Sequence, residues 1–124
     1  MHQRWNYLLT DRAQWYTQLR SSFASNAAHG LEAVYQLRFD DAPPYHLSIR
    51  HTHLNHGEGE HPDPTVTLYF DTFLHHCEII AGRRDPMQAF LEGRFRADGH
   101  IVLAMRLLQL FVPQYALAGP EQLR

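Results

Sequence analysis

Histidine is the residue type in this chain with the most chemical potential. There are ten, and five of them (His46, His51, His53, His56 and His61) crowd between positions 46 and 61. Imidazoles in such numbers can ligate zinc or nickel, and His51 and His53, two apart, would fall on one side of a strand. No HExxH or comparable ligand spacing accompanies them, and the Gly- and Pro-containing run HTHLNHGEGEHPDP reads as exposed polar chain. Solvated histidines are therefore the competing reading, and no metal ligand is assigned. Their titration is a second possibility: full protonation of all ten takes the formal net charge from -2 to +8, which favours an anionic membrane in acid.

The other reactive residues point away from catalysis. Cys77 follows His75 and His76, but neighbours along a helix point in different directions, so adjacency is not a nucleophile–base dyad. Ser21, Ser22, Ser25 and Ser48 lie in no G-x-S-x-G turn. All eleven basic residues are arginine, which removes every mechanism that needs a Schiff-base or P-loop lysine. The net charge of -2 gives no footing for nucleic acid. Arg83-Arg84 and Arg94/Arg96 form a modest basic cluster, either a solvated face or an attractor for a phosphate-bearing head group or lipid surface. No catalytic residue and no cofactor are assigned.

The elements that would position these residues follow from periodicity. Apolar positions Trp5, Leu8, Leu9, Ala13, Tyr16, Leu19 and Phe23 predict an amphipathic helix over residues 4–28, with Asp11 a candidate cap for a break within it. The period then shifts to two. Tyr35, Leu37 and Phe39, then Tyr45, Leu47 and Ile49, alternate with polar residues and predict an antiparallel hairpin around the turn-forming 40–44. Residues 51–64 read as a weak edge strand or a loop, and Thr65 to Phe70 as a strand.

Asp71 is the expected cap of a helix whose apolar face carries Phe73, Leu74, Cys77 and Ile80. Asp85-Pro86 opens another, with Met87, Phe90 and Leu91, ended by Gly93. A short strand over 94–97 leads to a turn at Asp98-Gly99. The run from Ile101 to Val112, IVLAMRLLQLFV, predicts a helix buried on nearly every side. One sheet with helices on one face, an α+β arrangement, is the simplest layering.

Two segments resemble a known family. The strand Thr65 to Phe70 and its apolar helix lead into Asp85-Pro86-Met87-Gln88-Ala89-Phe90-Leu91-Glu92-Gly93-Arg94, then a short strand, a Gly turn and the final apolar helix around Leu103 to Leu107. This order resembles the sterol carrier protein type 2 family, with its DP-x-x-AF-x-x-G(K/R) stretch, over residues 15–112. Position 87 departs from the eukaryotic pattern, with Met where Gln is frequent. The resemblance implies a mostly antiparallel five-stranded sheet with helices on one face and an apolar tunnel between them. It also implies a non-catalytic carrier of sterols, fatty acids, acyl-CoA or phospholipids.

Phe70, Phe73, Leu74, Cys77, Ile80, Met87, Phe90, Ile101, Met105 and Leu108 are then the expected ligand-binding residues. From periodicity alone the same stripes read as plain core; methionine suits a pocket that accepts varied chains. Expected partners are a fatty acid, phospholipid, sterol-like or isoprenoid molecule, with transient membrane contact and a homodimer as further options. An accessory or dimerising module beside a lipid- or quinone-metabolising enzyme is the alternative, and a metal-dependent protein built on residues 46–61 the third.

No run of ~18 apolar residues exists to span a membrane. The N-terminal residues carry no signal-peptide pattern, the single cysteine suits a reducing compartment, and the C-terminal EQLR is no peroxisomal signal. A cytoplasmic single domain over 1–124, with 119–124 a frayed tail, is the expectation.

Overall fold

The sheet is built from segments whose side chains alternate between apolar and polar. A computed structural model describes residues 11–111. Trp5, Leu8 and Leu9 of the expected first helix lie outside them, as do Val112 and the tail. Strands β1 (Ala33–Phe39) and β2 (Tyr45–Arg50) form the expected hairpin, with Tyr35 opposite Leu47 and Leu37 opposite Tyr45. All four side chains are fully buried. The doubtful segment is an edge strand, β3 (His53–Glu58), antiparallel to β2.

His51 is not on that strand. His51 and Thr52 have φ of 52° and 61° and form the tight β2–β3 turn, since mirror-image turns match the right-handed twist of the strands. Strand β4 (Val66–Phe70) runs parallel to β1 on its other side, and β5 (Phe95–Gly99) closes the far edge antiparallel to β4. The order is β3-β2-β1-β4-β5. Gly99 is needed where it stands: its φ is 102° and a Cβ there would come within 2.9 Å of the Thr65 carbonyl oxygen.

Alternate residues of β1, β2, β4 and β5 give the sheet one apolar face, and the helices cover it. Helix α1 (Arg12–Ser22) begins where Asp11 accepts from the Ala13 N–H at 3.0 Å, and buries Trp15, Tyr16 and Leu19. A 3-10 turn over Ser25–Ala28 follows. Helix α2 (Phe73–Ile80) is capped by Thr72, which accepts from the His75 N–H at 3.0 Å, rather than by Asp71. Asp71 is occupied differently: its Oδ1 accepts from the Thr72 N–H at 2.9 Å and meets His75 Nδ1 at 2.6 Å.

Helix α3 (Pro86–Leu91) starts as predicted, with Asp85 accepting from the Met87 N–H and Pro86 in the first turn. Helix α4 (Ile101–Leu107) is shorter than the apolar run from which it was predicted, and tightens into a turn after Leu107. Nor is it buried on every side. Ala104 and Leu107 reach the core, whereas Ile101 and Val102 in the first turn are 53% and 70% exposed.

Candidate ligand-binding site

The apolar surface that the core leaves uncovered is concentrated between α3, β5 and α4. Pro86, Met87 and Phe90 of α3, Phe95 and Ala97 of β5, and Ile101 and Met105 of α4 line a cleft of about 430 Å³, open on one side among the described residues. The local sequence explains the convergence. Met87 and Phe90 are three apart on a helix, Ile101 and Met105 four apart, and Phe95 and Ala97 two apart on a strand, so each pair shares a face. Met87, Phe90 and Ile101 are each 53% exposed. The walls offer no group for catalysis; they can exclude water from an apolar chain.

Of the ten expected binding residues, the structure brings Met87, Phe90, Ile101 and Met105 together here. Phe70, Phe73, Cys77 and Ile80 fill the core, and Leu108 packs against it. Phe70 stands directly behind the cleft, stacked on Phe95 at 5.0 Å between ring centroids. Leu74 lies at the edge of α2 and is 39% exposed, because the buried residues of that helix are Phe73, His76, Cys77, Ile79 and Ile80. Pro86, Phe95 and Ala97 were missed as lining residues. The alternation Arg94-Phe95-Arg96-Ala97 carried the signal for the last two.

The other end of the helical layer is closed, and His76 is at its centre. Its ring is completely buried among Trp15, Phe39, Phe70 and Phe73, at centroid distances of 4.6–5.3 Å. Trp15 Nε1–H donates to Tyr45 Oη at 3.0 Å, Tyr45 Oη donates to His76 Nε2 at 2.6 Å, and His76 Nδ1–H donates to the Phe73 carbonyl at 3.0 Å. That relay assigns the imidazole proton to Nδ1 and leaves His76 neutral. Burial pulls its pKa down to about 3, and burial pushes the Tyr45 phenol well up.

Cys77 Sγ is 3.5 Å from His76 Nδ1, but that nitrogen is already donating to Phe73, and burial raises the thiol pKa. The pair is sealed from any substrate and is not a nucleophile–base couple.

The clustered histidines diverge. His56 stacks on Tyr16 at 4.1 Å on the helix-covered side, where burial and then Arg20 lower its pKa. On the opposite face of the sheet His46 meets His61 edge to face at 5.2 Å, and His46 Nδ1 is 3.2 Å from the Gly59 carbonyl oxygen. Among the described residues no three His, Cys, Asp or Glu side chains come together as a metal site. Nor is any described helix long and apolar enough to cross a membrane.

Comparison with known proteins gives this geometry a context. The sec-alkylsulfatase Pisa1 from Pseudomonas sp. matches with a TM-score of 0.71 and 21% identity, over 79% of this chain but only 16% of the sulfatase chain. UbiJ-SCP2, a ubiquinone synthesis protein, matches with a TM-score of 0.61 and 14% identity over 84% of this chain and 93% of that one. Palmitated SCP2L2 from Aedes aegypti matches with a TM-score of 0.53 and 18% identity, over 76% and 87% of the two chains. These likenesses concern the fold alone. The sequence model of the SCP-2 sterol transfer family matches residues 14–112, most of the chain and every described helix but the first turn of α1, and the protein therefore belongs to the SCP-2 sterol transfer family.

Proposed function

We propose that this protein binds the apolar chain of a lipid, such as a fatty acyl or isoprenoid chain, in the cleft between α3, β5 and α4, without turning it over. The observation that carries this reading is the uncovered apolar surface of Met87, Phe90 and Ile101 around a cleft of about 430 Å³. A cleft of roughly 300–1,000 Å³ is the range in which small molecules are held. Each methylene moved from water into such a site yields about 0.8 kcal/mol. Eight would supply roughly 6 kcal/mol before ordering costs, so micromolar affinity needs little help from a polar anchor. Membership of a sterol transfer family supports an apolar ligand, and the palmitated mosquito protein supports an acyl chain in this fold. An extension of the cleft into a tunnel along Phe73, Cys77 and Ile80 would require those core side chains to move.

A second reading is favoured by Leu91 and Val102, 73% and 70% exposed on α3 and α4. Apolar surface of this kind can be covered by protein as well as by ligand. The chain would then act as an accessory or dimerising module, in keeping with a fold relative named for ubiquinone synthesis and another in which this fold is 16% of an alkylsulfatase. Native mass spectrometry of the purified protein separates the two. A bound lipid of a few hundred daltons, absent from Ile101→Asp, is the expected result. A ligand-free dimer that takes up no added fatty acid in either form would replace the carrier reading with the accessory one.

A further inference from the structure

A second cleft lies at the end of the sheet where β1 and β4 finish and β5 begins, with a volume of about 360 Å³. Its lining is mostly polar, whereas that of the first is almost wholly apolar. Arg38, Tyr69, Arg94 and Arg96 contribute to its walls, and Phe95 borders both clefts. The strand grammar makes this possible. Strand β5 is the edge of the sheet, so alternate residues of Arg94-Phe95-Arg96-Ala97 serve the two sides of one edge. We propose that this second cleft receives the anionic group (phosphate, sulfate or carboxylate) of an amphiphile whose chain lies in the apolar cleft. The inference rests on the apolar-ligand reading above and adds the head group to it.

The case rests on where the charges stand. Arg38 is directly opposite Tyr69 on the neighbouring strand, and Tyr69 is directly opposite Arg96. Two cations therefore share one cross-strand row with a phenol ring between them. Arg38 has its counter-ion in Glu60 at 2.6 Å. Arg96 has no carboxylate within ion-pair distance among the described residues. Its guanidinium lies over the Tyr69 ring, 4.0 Å from the centroid.

A guanidinium held over a ring keeps N–H groups with which to donate to planar or tetrahedral anions. Arg94 is already engaged, donating to His75 Nε2 at 3.0 Å and lying 3.3 Å from Glu92 and 3.5 Å from Asp71, so Arg96 is the cation of this cleft without a counter-ion among the described residues. Two carboxylates also border the cleft. Asp71 is spent on the Thr72 N–H, His75 and Arg94, which leaves Asp40 as the opposing charge.

Titration calorimetry of the full chain with dodecyl phosphate, dodecanol and inorganic phosphate tests the inference. The wild type should bind dodecyl phosphate roughly three- to tenfold more tightly than dodecanol. Arg96→Gln should abolish that preference while leaving the dodecanol affinity unchanged, and Arg50→Gln, outside the cleft, should keep the preference. Equal affinity for the two amphiphiles in the wild type overturns the head-group site and leaves the apolar-ligand reading standing. Failure of both amphiphiles to bind overturns that reading and this inference with it. Binding of inorganic phosphate that depends on Arg96 and gains nothing from the alkyl chain identifies a free anion as the occupant, and overturns the link between the two clefts.

Discussion

The two ends of the helical layer have been finished differently. Under α1 and α2, aromatic rings close around His76, and every nitrogen of that imidazole has a partner. The Arg12 guanidinium lies over this end, 5.0–5.9 Å from the ring centroids of Tyr16, Tyr45 and Phe73. Between α3 and α4 the same sheet meets helices of only six and seven residues, and three large apolar side chains remain half in water. A buried polar relay is costly unless fully satisfied, so the first region reads as structure. Uncovered apolar surface is costly unless something occupies it, so the second reads as function.

The largest effects should come from breaking the closed end. His76→Ala leaves a cavity and strands the Tyr45 hydroxyl, and should cost about 3–5 kcal/mol in a urea melt, with ligand uptake retained by whatever fraction stays folded. Tyr45→Phe deprives both Trp15 Nε1–H and His76 Nε2 of their partner and should cost about 2 kcal/mol. If either variant proves neutral, the relay is not what seals that end.

The next effect is a pH dependence. His76 has a folded pKa of about 3 against 6.5 for the free side chain, so below pH 6.5 the unfolded chain binds a proton that the folded chain refuses. The stability contributed by the neutral ring is complete above pH 6.5. It falls as pH drops toward 3, by about 1.4 kcal/mol per pH unit from this group. Denaturant midpoints between pH 7 and 4 check this, and His76→Gln should flatten the slope. The smallest effect belongs to the open end. Ile101→Asp, at the exposed first turn of α4 where a carboxylate suits the helix dipole, should alter stability by no more than about 0.5 kcal/mol while removing ligand uptake.

Much of this contrast was legible in the residues, though not its boundary. The alternation through Tyr35–Phe39 and Tyr45–Ile49 specified the hairpin, and Asp85-Pro86 specified the start of α3, because one period or one cap chemistry dominates there. Strand β3 was harder. Its helix-facing residues, Leu54, His56 and Glu58, are mostly polar, so an edge strand looks like a loop. Asp71 and Thr72 are both good caps, and the contacts of Asp71 with His75, four residues on, and with the distant Arg94 decide between them.

Helix α2 hid its buried histidine because His76 is polar by type, although its spacing from Phe73 and Ile80 puts it on the core face. Phe70, Phe73, Cys77 and Ile80 could not be told from Met87, Phe90, Ile101 and Met105 by pattern, since an apolar stripe is the same whether protein or ligand covers it. What separates them is the shortness of α3 and α4. The apolar run ending at Val112 conceals that for α4, where the helix closes at Leu107.

Methyl NMR of methionine-labelled protein titrated with palmitate tests the central claim most directly. The sequence has three methionines, Met1, Met87 and Met105, and two of them line the cleft. The account predicts that the Met87 and Met105 methyl signals shift together and saturate at one equivalent, with no such change in Ile101→Asp. Met87 and Met105 signals that stay in place while palmitate binds, or that move identically in Ile101→Asp, would contradict it.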